Sequence, residues 1–221
     1  MRLHAKKPLS VLLCFAVVMA GCAQYKRPPL MIKVPDFYEH KVKTNQLTLV
    51  ADHYFESEKS KHFFNSDLTS KGFLPVHFIA FNFGDTVYDL SRVKFSLRRD
   101  DGVELTPMDP QIVAKRVLKH TSLRMLGWGF AGLIILSIPF SLVAGMDSFR
   151  ANQDIRKSVK ENTLRVFEIG AKEAVDGFYF FEIGHGPREI REAKERQYSL
   201  VIKGLKEKDS ENVYDFRIGL N

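Results

Sequence analysis

The chain has 221 residues, with 33 Lys and Arg against 26 Asp and Glu, and therefore a formal net charge of +7. This length is enough for one ordinary domain with a full hydrophobic core or for two small domains. The excess of basic residues is mild, so it predicts no nucleic-acid partner, and it is compatible with a position near anionic lipid headgroups.

The first residues have the pattern of an export signal. Three Lys or Arg side chains and no acid lie within residues 1–8, and Leu9 to Ala20 is apolar except for Ser10. A basic, then apolar, then small order is typical of a secretory signal, and this apolar run is too short to span a bilayer. We therefore predict that residues 1–21 are a signal peptide. Its removal lowers the formal charge from +7 to +4 because three basic residues leave with it.

The end of this signal, Met19-Ala20-Gly21-Cys22, resembles the lipobox of bacterial lipoproteins. Small side chains precede the cysteine, as signal peptidases require, although the family usually has leucine where Met19 stands. The resemblance implies cleavage between Gly21 and Cys22 and acylation of Cys22; the alternative is an ordinary signal with a cysteine nearby by chance. Ala23 occupies the position where an aspartate typically retains a lipoprotein at the inner membrane. The implied location is therefore the outer membrane, facing the periplasm, with the inner membrane as the alternative.

Cysteine content limits the chemistry of the mature chain. The two cysteines are Cys14, which leaves with the signal, and Cys22. The mature fold is therefore predicted to have no disulfide, no thiolate metal site and no thiol nucleophile. Its stability must come from burial of apolar side chains, for which the 18 Phe provide material.

Residues 22–45 contain several prolines and are predicted to be the lipidated N-terminus and an extended tether. Residues 46–108 are predicted to form the first part of a β-sandwich. The predicted elements are a strand over Leu47–Phe55, a helix over Ser57–Ser70, a strand over Phe73–Phe83, a strand from Val93, and a hairpin at Asp100-Asp101-Gly102. Both faces of Phe73–Phe83 are apolar, which predicts a central strand buried on both sides.

Residues 109–163 are predicted to be a helical insertion. Asp109 and Pro110 suit the N-cap and first position of a helix that runs to about Ser122, and residues 147–162 are predicted to be a surface helix. Residues 164–221 are predicted to complete the sandwich. The strands expected there are Leu164–Ile169, Gly177–Ile183, Tyr198–Ile202 and Val213–Leu220. The predicted fold class is mainly β: an antiparallel, immunoglobulin-like β-sandwich with a helical, apolar insertion between its strands.

Residues 47–220 also resemble a loose group of bacterial envelope lipoproteins that have no assigned activity. The resemblance rests on three segments: Gly72-Phe73-Leu74-Pro75, Ala151-Asn152-Gln153-Asp154-Ile155 and Gly177-Phe178-Tyr179-Phe180-Phe181. It implies a β-sandwich with an apolar insert, and it implies a fold more than a function.

A second hydrophobic stretch, residues 126–146, has no charged residue in 21 positions. As a straight helix it would reach about 31 Å, close to the thickness of the bilayer core. Its ten Leu, Ile, Phe and Val residues favour insertion by about 3–6 kcal/mol, which its glycines, serines and Pro139 reduce. Lys and Arg are balanced on its two flanks, so the flanks predict no orientation.

Three arrangements of this stretch remain open. The favoured one is a re-entrant or interfacial hairpin broken near Pro139, with both ends on one side of the membrane and basic flanks against anionic headgroups. The others are a single transmembrane span and a helix buried in protein. The residues predicted to contact the membrane are Leu126, Trp128, Phe130, Leu133, Ile134, Ile135, Leu136, Ile138, Phe140, Leu142 and Val143.

Few residues suggest chemistry. Residues 127–132 match GxGxxG but follow no predicted strand, so close helix packing is favoured over a nucleotide site. A metal site built from His53, His62 and His77 stays open, although strand or surface histidines are favoured. The aromatic run Phe178 to Phe181 is expected to be core more often than a ligand platform. The acids Asp100, Asp101, Asp209 and Glu211 lie in predicted turns, where such side chains commonly bond the backbone.

We therefore predict no catalytic residue, no metal and no cofactor. The favoured function is a lipid-anchored cell-envelope protein with a non-catalytic binding or structural role. Its predicted partners are membrane lipid, through acylated Cys22 and segment 126–146, and an envelope protein that the sequence does not identify. The alternative is a membrane-anchored periplasmic hydrolase on the same scaffold. A buried His77 or His53 beside an acid and a nucleophile would favour that enzyme.

Overall fold

The computed structural model describes residues 31–44, 46–118, 152–164 and 166–220. The predicted signal peptide, Cys22 and the stretch 126–146 with its predicted membrane contacts lie outside these residues.

The chain forms mainly antiparallel β-structure in two open sheets. The first sheet has the order β1-β2-β3-β8, in which every neighbouring pair is antiparallel. Its strands are β1 (Lys41–Lys43), β2 (Leu47–His53), β3 (Phe73–Asn82) and β8 (Ala174–Glu182). The lysines of β1 lie at the free edge of this sheet, a position where charge discourages further strand pairing.

The second sheet is built around the long strand β9 (Tyr198–Glu207). On one side β9 pairs first with β5 and then with β4; on the other side it pairs with β10. The remaining strands are β4 (Tyr88–Asp89), β5 (Lys94–Arg99), β6 (Glu104–Leu105), β7 (Glu168–Ile169) and β10 (Val213–Gly219).

Within the described residues, four helices accompany the sheets: α1 (Ser57–Phe64), α2 (Pro110–Val117), α3 (residues 152–161) and α4 (Pro187–Lys194). The predicted start of α2 is confirmed, since Asp109 is its N-cap and the Asp109 carboxylate accepts a hydrogen bond of 2.7 Å from the Gln111 amide. Short 3₁₀ turns cover Pro35–Phe37 and Thr69–Lys71.

Strand β3 is the centre of the packing, and all ten of its residues are buried. Leu74, Val76 and Phe78 belong to one core cluster together with Leu200 and Ile202 of the second sheet. That shared cluster is consistent with a β-sandwich. The prediction of a central strand buried on both faces is confirmed for Phe73–Asn82, whereas Phe83, which it also included, lies beyond the strand and is 61 % exposed.

The outer face of the first sheet carries a second core. The rings of Phe178 and Phe180 on β8 pack there with Phe63 and Phe64 of α1, and with apolar residues of α2 and α3. The α2 and α3 residues in this cluster are Val113, Ala114, Val117, Ile155 and Val159. The helices on either side of the 126–146 stretch therefore share one apolar cluster.

The edge of β8 that does not pair with β3 is hydrogen-bonded to two chain segments, one that leads into α2 and one that leads out of α3. The Met108 amide donates to the Phe180 carbonyl, and the Phe178 amide donates to the Asn162 carbonyl, both at 2.7 Å. A Cβ on Gly177 would lie 2.4 Å from the Cα of Leu164, so this close approach requires glycine.

Several elements differ from what the sequence predicts. The helix that begins at Pro110 ends at Val117 rather than near Ser122. The predicted helix Ser57–Ser70 ends at Phe64, where Asn65 adopts the left-handed conformation (φ 55°), and a separate 3₁₀ turn follows. The predicted strand Leu164–Ile169 is reduced to Glu168–Ile169, and Leu164 lies against β8 instead. Helix α4 was not predicted from the sequence.

Candidate functional site

A pocket of about 450 Å³ lies on the outer face of the first sheet, between residues 31–40 and helix α1. We call it the His77 pocket. Residues from the end of β2 and from β3 form its floor. It contains four of the five histidines in the part of the chain that the structure describes: His40, His53, His62 and His77. The β2–β3 register places Asp52 opposite His77 at the floor of the pocket.

His77 is held rigidly in the sheet. Its Nε2 lies 2.6 Å from Oδ2 of Asp176 on β8, and its ring stacks on Phe178 with centroids 4.6 Å apart. Only 2 % of the His77 side chain is exposed. The carboxylate fixes the orientation of the imidazole, and the ring of Phe178 covers one of its faces.

Lys59 is anchored at the side of the pocket. Its ammonium lies 2.5 Å from Oδ1 of Asp52, donates to the His53 carbonyl at 2.9 Å, and sits 4.3 Å from the centre of the Tyr54 ring. Carboxylate, carbonyl and ring face together satisfy this cation. Burial, followed by the charge of Asp52, raises the pKa of the Tyr54 phenol, which is therefore neutral at physiological pH.

His53 is the least satisfied group in the pocket. Its Nδ1 is buried and finds no hydrogen-bond partner in the described part of the chain, and its ring lies 5.2 Å from that of His40. Burial lowers the pKa of His53, and the neighbouring His40 and Lys59 lower it further. The ring is therefore neutral at pH 7, and protonating it has a free-energy cost.

One histidine of the pocket is paired with an acid, although Asp176 itself is not among the residues that line the pocket. His77 has the acid Asp176 beside it. A hydrolase is expected to have both an acid and a nucleophile beside such a histidine, and the acid is the first of these two groups. No Ser, Thr or Cys is among the described residues that line the pocket. The buried ring and its stacking on Phe178 favour an architectural role for the His77–Asp176 pair.

The histidines considered for a metal site, His53, His62 and His77, do line one pocket. Nevertheless, among the described residues no group of three or more His, Cys, Asp or Glu side chains is placed to hold one metal ion. The stacking of His77 on Phe178 and its contact with Asp176 engage that ring elsewhere.

The aromatic run and two of the turn acids have structural roles. Phe178, Phe180 and Phe181 are fully buried, so the core interpretation of this run is confirmed. Asp101 accepts from the Val103 amide and Asp100 from the Asp101 amide, as expected for turn residues. The GxGxxG match at residues 127–132 lies outside the described residues.

Sequence reasoning missed Asp176, Asp52 and Lys59. Asp176 is 99 positions from His77, and only the β3–β8 register places the two side chains together. The acid at Asp176 within an otherwise apolar strand was the one signal that could have been used.

Comparison with known proteins identified no relative: no family model matches the chain, and neither a curated protein nor a solved structure matches it significantly. In the part of the chain that the structure describes, no helix is both long enough and apolar enough to cross a membrane.

Proposed function

We propose that this chain is a lipid-anchored domain of the bacterial cell envelope with a non-catalytic binding or structural role. Acylated Cys22 and the apolar stretch 126–146 hold it at the membrane, with both ends of that stretch on one side. The domain is an immunoglobulin-like β-sandwich that carries residues 109–163 as an insertion. The observation that carries this proposal is the pairing of strands from before and after the stretch.

The β3–β8 ladder is the main support. It runs without interruption from Phe73 opposite Glu182 to Phe81 opposite Ala174, and β5 pairs with β9 in the second sheet. A chain that crossed a bilayer once between β5 and β8 would place the partners of both ladders on opposite sides. These ladders therefore argue against a single span and favour the re-entrant or interfacial arrangement.

The segments at the edge of β8 support an insertion. Their contacts are made with Phe178 and Phe180, which are two residues apart on one strand. Two residues of β-strand span about 7 Å, so the chain leaves the sheet and returns to it at nearly the same point. Helices α2 and α3 then pack together in the cluster over Phe178 and Phe180.

The solvent side of α2 and α3 is basic. Lys115, Arg116, Arg156 and Lys157 are exposed on the two helices that flank the stretch. Basic residues near an anionic leaflet contribute about 1 kcal/mol each. We propose that this surface faces the lipid headgroups, beside the place where the apolar stretch meets the membrane.

The first test concerns the anchor. In a cell grown with labelled palmitate, the wild-type chain should incorporate label at its N-terminus, and Cys22→Ser should abolish incorporation. Label retained by Cys22→Ser would contradict the proposed acylation.

The second test concerns the apolar stretch. Mature protein carrying Cys22→Ser, and thus without lipid, should bind anionic vesicles in a sedimentation assay, and Leu136→Arg should release it. Val213→Arg is the matched control, because Val213 is 56 % exposed on β10. Unchanged binding of the Leu136→Arg protein, or equal loss in both variants, would exclude a membrane role for the stretch.

The hydrolase alternative has one observation in its favour, the 2.6 Å contact between His77 and Asp176. A fluorophosphonate probe tests it, since such probes label serine nucleophiles activated by a histidine. We expect no labelling. Labelling of the wild type that is lost in a folded His77→Gln variant would establish the enzyme instead.

A further inference from the structure

A second pocket, of about 380 Å³, opens where the β1–β2 turn of the first sheet meets the second sheet. We call it the Glu207 pocket. Three aromatic rings line it, those of Tyr88, Tyr214 and Phe216, and Thr44 and Gln46 lie at its rim. Its volume lies at the small end of the range for ligand sites, which suits one charged head group with a short apolar stem.

Glu207 provides the charge of this pocket. Its Oε1 accepts a hydrogen bond of 2.8 Å from the Tyr214 hydroxyl, and its Oε2 accepts one of 3.0 Å from the Asn212 side chain. These hydrogen bonds, and a weaker contribution from the Ser210 side chain, lower the pKa of Glu207, so it is ionised at neutral pH. Because each oxygen of a carboxylate can accept more than one hydrogen bond, Glu207 retains capacity for a further donor.

The two tyrosines remain neutral beside this carboxylate. Burial raises the pKa of Tyr88, and the charge of Glu207 raises it further. The hydrogen bond to Glu207 is the first cause of the raised pKa of Tyr214. The pocket therefore presents one negative charge and neutral ring faces at physiological pH.

No Lys, Arg or His is among the described residues that line the Glu207 pocket. Two neighbouring lysines are held by other acids: Lys208 lies 2.8 Å from Glu168, and Lys43 lies 2.5 Å from Asp36. Lys206 precedes Glu207 on β9, and successive side chains of a strand point to opposite faces. The His77 pocket, by contrast, already contains Lys59 against Asp52.

We propose that the Glu207 pocket binds an ammonium or guanidinium group carried on a short apolar stem. Aromatic ring faces attract cations, and an ionised carboxylate forms a charge-assisted hydrogen bond with an N–H donor. The cation comes either from a free small amine or from a basic side chain of a partner protein. This inference goes beyond the proposed envelope function and does not depend on lipidation or on the apolar stretch.

The test is calorimetric titration of the mature chain carrying Cys22→Ser with n-butylammonium and, in parallel, with n-butanol as the neutral analogue of similar shape. We expect saturable binding of the cation and at least about tenfold weaker binding of the alcohol. If this chain, with no change in the pocket, binds neither compound or binds both equally, the proposal is overturned.

Substitutions in and beside the Glu207 pocket test whether the cation binds there. Glu207→Gln should weaken n-butylammonium binding by about tenfold or more, and Phe216→Leu by about two- to fivefold through loss of a ring face. Glu211→Gln, an exposed acid in the adjacent turn, is the matched control and should have no effect. Cation binding that Glu207→Gln leaves unchanged would overturn the assignment.

A second variant separates binding from folding. Tyr214→Phe removes the hydroxyl that donates to Glu207 but keeps the carboxylate and the ring, so binding should persist to within about threefold. If Glu207→Gln fails to fold, loss of binding in a folded Tyr214→Leu variant supports the site, and unchanged binding overturns it.

A comparison of two ligands identifies the source of the cation. A blocked lysine-containing peptide that binds more tightly than n-butylammonium identifies a protein side chain as the source, and the reverse order of affinities identifies a free amine.

Discussion

The two faces of the β1-β2-β3-β8 sheet differ in what they do. The inner face is closed by the second sheet, and its cluster includes Leu74, Val76, Phe78 and their partners on β5 and β9. The outer face is shared between the cluster around Phe178 and the polar His77 pocket. The inner face carries the larger apolar cluster, whereas the outer face holds the helices that flank the apolar stretch.

The largest expected effect comes from the inner face. Phe78 is fully buried beside Phe95, so Phe78→Ala should lower the free energy of unfolding by about 3–5 kcal/mol. Chemical denaturation should show this loss as one cooperative transition. Phe37→Ala is the control, because Phe37 is 76 % exposed and its loss should change stability by less than about 0.5 kcal/mol.

A smaller and more local effect is expected from the outer face. Ile155 on α3 is fully buried, and Ile155→Ala should cost about 2–3 kcal/mol. Hydrogen exchange should accelerate mainly in Pro110–Val117 and residues 152–161, with Arg156→Ala as the exposed control. Uniform acceleration across both sheets would show that the two faces are not separate in stability.

The edge of β8, where Leu164 lies against Gly177, can be tested by a single substitution. Gly177→Ala would place a Cβ against the backbone of Leu164, and such overpacking typically costs about 1–3 kcal/mol. Gly219→Ala is a matched control, since no atom lies within 4 Å of its added Cβ. Equal thermal stability of the two variants would argue against the close approach of residues 162–164 to β8.

The smallest expected effect on stability occurs only at acidic pH. The folded state lowers the pKa of His53 from 6.5, so the unfolded chain binds this proton more readily. Stability should therefore fall as pH decreases below about 6.5 and should be unaffected by this group at higher pH. A His53→Asn variant should lack this part of the acid dependence; an unchanged pH profile would exclude His53 as its source.

Patterns that involve residues close together in the sequence predicted much of the fold. The apolar pattern of β3, the Asp100-Asp101-Gly102 hairpin and the Asp109 N-cap each depend on adjacent residues, and the structure confirms them. Gly102 has φ 89° in that hairpin, a conformation that favours glycine. Helix α4 was missed because its N-cap is Gly186, which has no side chain to accept a capping hydrogen bond, and because few of its residues are apolar.

The pockets could not be predicted in the same way. The His77–Asp176 contact depends on the β3–β8 register, and the Glu207 pocket depends on the meeting of two sheets. Neither arrangement leaves a spacing pattern in the sequence, since the residues involved come from distant strands. The sequence left a metal site of His53, His62 and His77 open; these histidines line one pocket, but among the described residues no group of three ligand side chains is placed to hold one metal ion.

The central claim is that the chain before and after the apolar stretch lies on one side of the membrane. Single cysteines at Asp101 and at Ser210 test it directly, because these turns lie on either side of the stretch in sequence and the mature chain has no other cysteine than Cys22. With an impermeant maleimide on intact spheroplasts, the account predicts that both positions label from the periplasmic side. Labelling of the two positions from opposite sides would contradict it, since the β3–β8 and β5–β9 ladders could not then form.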